Sequence, residues 1–145
     1  MSSDISGYIK NKIHYLNVRI YYEDTDFSGV VYHANYLKFS ERGRSDFLRL
    51  VGINHSELIT QEDASFFVVL NMYSEFLQSS KIDDILNVKS SFTSLSGARL
   101  NMRQDILKDN QVIFKTTTEF AFLKKNGKPR KVPDDIIKKI EPYLF

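Results

Sequence analysis

The sequence predicts an α+β fold in which a mostly antiparallel sheet packs one long helix on a face. Three observations carry this: a single long amphipathic helical stretch over Asn35–Val51, β-rich runs on both sides of it, and tight-turn pairs (Ser96-Gly97, Asp109-Asn110) between consecutive runs. About five strands are expected. With 145 residues, 42% hydrophobic and 26% charged, the chain reads as a single domain over residues 1–145, long enough for one sizeable core without staples. It contains no cysteine, which excludes a disulfide scaffold, thiolate metal ligation and thiol nucleophiles.

The elements follow in order. Ile13–Tyr22 (IHYLNVRIYY) is rich in β-branched and aromatic residues with partial alternation, a first strand. Glu23–Gly29 (EDTDFSG) breaks that pattern as a loop. In the helix that follows, Tyr36, Phe39, Gly43, Phe47 and Leu50 share one face, while Lys38, Glu41, Arg42, Ser45 and Arg49 cover the other. A glycine in the middle of an apolar stripe gives up about 1 kcal/mol of helix propensity, so something must approach that face closely; a sheet wrapped round the helix would. Gly52 stands where a left-handed helix cap belongs, and Ile53–Asp63 is a polar connection with room for one short helical turn. Four strand runs then follow: Ser65–Leu77, Ile85 to about Leu95, Arg99–Leu107 and Val112–Leu123. After a turn at Asn126-Gly127, Pro133 opens a short helix over Asp134–Ile140 with acids at its start and lysines toward its end. Either the last long strand or Ser65–Leu77 could pair with a second copy across a two-fold axis, so a homodimer is expected.

Charge and hydropathy exclude other classes. The net charge of +2 is too small to argue for nucleic acid, and the basic character is local: residues 124–145 hold seven basic and three acidic side chains. The longest apolar run, Phe66–Leu70, is strand length, so no integral membrane segment is expected. The first twelve residues carry Asp4, Lys10 and Lys12 and no run of secretory-signal length, which predicts a cytoplasmic address.

The densest group of functional side chains is Tyr21–His33, between the first strand and the helix. Three carboxylates within four residues (Glu23, Asp24, Asp26) are costly to crowd unless solvated, held by donors or bound to a cation. A solvated turn preceding a helix would explain them. A calcium loop would not, because the later ligands and closing glutamate are missing, and no metal site is expected. A carboxylate working as base or nucleophile gains from Gly29 and His33, just ahead of a helix whose free N–H groups can hold an oxyanion.

The run Arg19–Tyr36, RIYYEDTDFSGVVYHANY, continued by Leu37-Lys38-Phe39 and the E-R-x-R step at Glu41–Arg44, closely resembles the signature of the 4-hydroxybenzoyl-CoA thioesterase family, in particular its YbgC-like acyl-CoA thioesterase branch. The resemblance implies a hot-dog fold, a curved antiparallel sheet wrapped round one long helix. It implies hydrolysis of a short-chain or aromatic acyl-CoA to free acid and coenzyme A, with no cofactor, in a homodimer or homotetramer. It also raises acyl carrier protein as a partner and a link to the Tol-Pal system of the cell envelope. Carried onto this chain, the catalytic carboxylate is Asp26, and the backbone amide that polarises the thioester carbonyl is that of His33. Tyr22, Gly29, Val31 and Tyr32 fall in the substrate-binding part of the motif. Phe27-Ser28 replaces the small residues common in this branch, which would narrow or redirect the acyl pocket.

Glu23 and Asp24 read as structural caps, and Tyr22 as pocket wall rather than catalyst. His14 and His55 read as ordinary histidines, and Ser91, Ser94 and Ser96 lack a nucleophile elbow. Phe66, Phe67 and Phe76 are candidates for an acyl tunnel. Lys125, Lys128 and Arg130, at the basic turn, would either attract coenzyme A phosphates or form a solvated turn. Two other functions remain open at this stage: a non-catalytic module that binds acyl-CoA or acyl carrier protein, and a nucleic-acid binder using the basic turn.

Overall fold

A computed structural model describes residues 4–145; residues 1–3 of the expected domain lie outside the described residues. Six strands form one antiparallel sheet: β1 (Tyr8–Lys10), β2 (Ile13–Arg19), β3 (Ser65–Phe76), β4 (Ile85–Ser96), β5 (Arg99–Lys108) and β6 (Gln111–Lys124), in the order β1-β2-β4-β5-β6-β3. Three helices accompany it: α1 (Ala34–Leu50), α2 (His55–Thr60) and α3 (Asp134–Ile140). The expected α+β architecture, a curved antiparallel sheet with one long helix and a short C-terminal helix, is present. The expected count of about five strands is corrected to six. The extra one, β1, is three residues long and turns into β2 through Asn11 and Lys12, both at positive φ (52° and 68°). The first strand also ends at Arg19, because Tyr22–Asp24 coils into a 3-10 turn.

Alternation places Leu86, Val88, Ser90 and Phe92 of β4 and Leu100, Met102, Gln104 and Ile106 of β5 on the buried face. The strand registers align a polar row across five of the six strands: His14 faces Ser90, Ser90 faces Gln104, Gln104 faces Thr116, and Thr116 faces Ser74. This row divides the apolar core into two clusters, one around Phe47, Phe92 and Phe122 and the other around Tyr36, Phe39 and Phe114. Helix α1 crosses the row at Gly43. A Cβ there would lie 2.7 Å from Val88 Cγ1 and 3.2 Å from Ser90 Oγ, which accounts for a glycine inside the helix. Gln104 Nε2 donates to the Ser40 carbonyl (2.7 Å) and to Ser90 Oγ (2.9 Å), tying helix to sheet. Gly43→Ala is therefore expected to lower stability by about 1–2 kcal/mol even after the gain in helix propensity, measured as a shift in urea midpoint.

At one end of the row, His14 is fully buried and its Nε2 lies 2.6 Å from Asp46 Oδ2. The same oxygen accepts the Gly7 N–H at 2.8 Å. A single helix carboxylate thus pins β2 and the chain entering β1. Gly7 has no room for a side chain, since a Cβ would fall 1.9 Å from the Tyr15 carbonyl oxygen. His14, ordinary by its local sequence, is buried against Asp46 through a contact between residues 32 apart in the chain.

The two edges of the sheet differ. β1 is too short to template another strand, whereas β3 is long and exposes Val69, Leu70, Tyr73 and Phe76. The last long strand, β6, is paired on both sides by β5 and β3. Of the two strands considered for pairing with a second copy, β3 alone has a free edge.

Candidate active site

The acidic loop is a miniature hairpin. Thr25 bridges Val31, the Asp26 N–H donates to the Val30 carbonyl (2.9 Å), and the Gly29 N–H closes the turn on the Asp26 carbonyl (3.0 Å). Gly29 takes φ +88°, a left-handed conformation that side chains disfavour and that turns the chain back here. Phe27 is left at the tip, fully exposed. Beneath the turn, Val31 is only 5% exposed and belongs to the core cluster with Tyr36 and Phe39. Its N–H donates to the Ser80 carbonyl (2.8 Å), and Ser80 Oγ shares a 2.7 Å hydrogen bond with the Tyr36 hydroxyl. The far end of the loop is thereby fixed to the segment preceding β4.

Asp24 holds the loop to α1. Its carboxylate accepts the Tyr21 N–H (2.8 Å), and its carbonyl accepts the Tyr32 N–H (2.9 Å) and Asn35 Nδ2 (2.9 Å). That is a structural role, as expected for it. Asp26 has a different environment: its Oδ1 accepts the Ser28 N–H (2.8 Å) and a short hydrogen bond from the Ser28 hydroxyl. These two donors, first the hydroxyl and then the N–H, lower the Asp26 pKa from the ordinary carboxylate value, and the nearby His33 imidazole adds to the effect. Asp26 is ionised at neutral pH.

His33 caps the N-terminus of the 17-residue α1, and among the described residues no acceptor receives its backbone N–H. That free donor carries the positive end of the helix dipole. The imidazole packs against Tyr32 (ring centroids 4.6 Å apart) and edge-on to Phe76 at the end of β3 (5.9 Å). The loop thus brings Asp26, Gly29, Tyr32 and His33 to one helix terminus. Tyr22, 82% exposed, lies in the 3-10 turn at the loop's outer side, and Val31 serves from beneath as core.

The basic turn is elsewhere. Lys125 and Arg130 line a cleft of about 390 Å³ beside the start of β3, and the Arg130 guanidinium donates to Ser65 Oγ (2.9 Å) and the Asp63 carbonyl (3.2 Å). The Lys128 N–H donates to Asn126 Oδ1 (3.0 Å), shaping the turn. Ser65 begins β3 and Phe76 ends it, so this cluster stands roughly 35 Å along the strand from His33 of the same chain. Of the three phenylalanines considered for an acyl tunnel, Phe76 touches His33 and Phe67 lines a separate cavity described below. Sequence reasoning missed Ser28 as the donor to Asp26, and Ser80 as the anchor of the loop; an Asx turn at Asp26-Phe27-Ser28 was the available signal for the first.

A curved antiparallel sheet with one long helix against it, entered through an acidic strand-to-helix loop, defines a hot-dog architecture. The chain belongs to the thioesterase-like superfamily, whose family model matches residues 20–140. It is 36% identical over 104 residues to the acyl-CoA thioesterase YbgC of Haemophilus influenzae, covering 72% of this chain and 76% of that protein. It is 34% identical over 122 residues to the acyl-CoA thioester hydrolase YbgC of Escherichia coli O6:H1, covering 83% and 90%. Among solved structures, a probable thioesterase from Bartonella henselae superposes with a TM-score of 0.81 at 43% identity, covering 83% of this chain and 99% of that one. A variant of 4-hydroxybenzoyl CoA thioesterase, complexed with 4-hydroxybenzoyl CoA, shares the fold with a TM-score of 0.80 at 14% identity. The YbgC-like resemblance read from the motif is borne out. Among the described residues no helix is long and apolar enough to cross a membrane, and no cluster of potential metal ligands occurs.

Proposed function

We propose that the protein hydrolyses acyl-CoA thioesters to free acid and coenzyme A, with Asp26 and the His33 amide as its machinery. The observation that carries this reading is one loop that holds the Asp26 carboxylate ionised through Ser28, within electrostatic reach of His33, and ends at the His33 N–H that no acceptor among the described residues receives. The thioester carbonyl oxygen accepts the His33 N–H. As the carbonyl carbon is attacked, negative charge develops on that oxygen, and a preorganised amide backed by a helix is worth roughly 3 kcal/mol to the transition state. Asp26 supplies the attack, either by taking a proton from water or by adding its own oxygen to the carbonyl carbon; the thiolate of coenzyme A leaves, and in the second route water cleaves the resulting anhydride. Single turnover in isotopically labelled water separates the routes, because only the anhydride route can leave label in Asp26. Val31 and Gly29 position this pair, while Tyr22, Tyr32 and the exposed Phe27 supply wall on the substrate side. The YbgC relatives, named for acyl-CoA thioester cleavage, support the substrate class.

The functional unit is proposed to be a homodimer, or a tetramer of such dimers, formed through the free edge of β3. Lys125, Lys128 and Arg130, far from His33 in their own chain, would then serve coenzyme A phosphates at the site of a neighbouring subunit. No cofactor is needed, and acyl carrier protein is an alternative acyl donor. A cytoplasmic address is part of the same reading.

Release of free thiol from a panel of acyl-CoA esters tests the reading. Turnover is expected for at least one short-chain or aromatic ester, and binding without turnover of any ester would favour the non-catalytic module. The pH profile has a stated sign. Because Ser28 lowers the Asp26 pKa, activity should persist as pH falls through the ordinary carboxylate range, and Ser28→Ala should move the acid limb to higher pH. An unmoved limb in initial-rate profiles would detach Asp26 from the rate.

A further inference from the structure

Between α1, the α2 end and the inner face of the sheet lies a second cavity, of about 190 Å³, lined by Leu48, Phe67, Val69, Leu100, Met102 and Phe120 together with Glu41, Arg44 and His55. Its apolar walls enclose one anomaly. The Arg44 guanidinium lies over the Phe120 ring, 5.3 Å from its centroid, with Nη1 buried and without a hydrogen-bond partner among the described residues. Burial disfavours its charge, and the neighbouring Glu41, whose carboxylate accepts the Ser45 hydroxyl (2.6 Å), only partly offsets that. A desolvated guanidinium donor left open is costly, and a ligand oxygen would satisfy it.

The cavity's position says which ligand. It sits at the Phe67–Val69 end of β3, whereas His33 packs on Phe76 at the other end. Antiparallel pairing of two copies along β3 brings the Phe76 end of each, with the His33 packed on it, toward the Phe67–Val69 end of the other. The space corresponds to ~6 water-sized groups, enough for a short acyl chain and too small for the adenosine diphosphate part of coenzyme A.

We infer that Arg44 reads the far end of the acyl group bound at the partner's catalytic loop, and that the enzyme prefers short acyl-CoA esters whose terminus carries an oxygen acceptor. This rests on the thioesterase reading and on pairing through β3. Arg44 is a specificity residue in this account: it touches the substrate remote from the reacting carbonyl.

The test compares pentanoyl-, 5-hydroxypentanoyl- and glutaryl-CoA, which share a five-carbon chain and end in methyl, hydroxyl and carboxylate. Wild type is expected to show kcat/KM at least tenfold higher for one oxygen-bearing ester than for pentanoyl-CoA, and the better of the two identifies the terminus. In Arg44→Met that ratio should fall to near one, and Arg44→Lys should keep part of it for the carboxylate. Circular dichroism and sedimentation establish that each variant is folded and associated as wild type. Equal kcat/KM on the three esters in wild type would overturn the inference, as would an Arg44→Met variant that dissociates or loses all three esters in the same proportion. Absence of thiol release from any ester of the wider panel would instead overturn the thioesterase reading itself.

Discussion

Asp26→Asn is expected to reduce kcat for thioester cleavage by about a thousandfold, within the 10²–10⁴ range of general acid–base catalysis. Asparagine keeps an oxygen at the position of Oδ1, so the Ser28 N–H and hydroxyl retain their acceptor and the turn closed by Gly29 stays in place. What is lost is the negative charge. An amide neither removes a proton from water nor attacks a carbonyl, while the His33 N–H remains able to polarise the thioester; residual turnover from that donor and from binding is therefore expected. Thermal melting and acyl-CoA binding should be nearly unchanged. Equal thiol release from the variant and the wild type would exclude Asp26 from the chemistry.

The largest effect on stability is expected at Asp46, remote from that site. Asp46→Ala deletes the common acceptor of His14 Nε2 and the Gly7 N–H, leaving a buried and a half-buried donor unpaired and costing about 3 kcal/mol. The pH dependence has a definite sign. Burial lowers the His14 pKa below its ordinary value, and the Asp46 carboxylate opposes this by raising it. The unfolded chain therefore takes up a proton at His14 before the folded chain does. His14 contributes stability that is present above about pH 6.5 and is lost as pH falls through the lowered folded value. Removing Asp46 removes the raising influence, so the stability of the variant should fall more steeply below that pH than that of wild type. Urea midpoints at pH 7.5 and 5.5 measure both effects, and a variant with an unchanged midpoint would show that the Gly7–His14–Asp46 junction adds nothing to the fold.

Much of this architecture was legible in the residues. Periodicity located α1 and its Gly43 contact, and turn pairs separated β4, β5 and β6. The loop carrying Asp26 and His33 stood out because acids, glycine and histidine cluster where a strand meets a helix. What the sequence left hidden was non-local. β1 spans three residues and is held by Gly7 against Asp46, a pairing no local pattern announces. The polar row from His14 to Ser74 breaks the rule that inward positions are apolar, and it becomes coherent only when the registers of five strands are aligned. No local pattern singles out Asp46 or Arg44 on α1, yet one is buried against a histidine and the other opens into a cavity. The free edge of β3 likewise depended on strand order: β6 is longer, but the sheet closes on both of its sides.

The account's central claim is that a thioester carbonyl sits between Asp26 and the His33 amide. The structure of the Asp26→Asn variant bound to a slowly cleaved acyl-CoA tests this directly. The carbonyl oxygen is predicted within hydrogen-bond distance of the His33 backbone nitrogen, with the carbonyl carbon facing the side chain at position 26. A thioester bound elsewhere, or with its oxygen turned away from α1, would contradict the account.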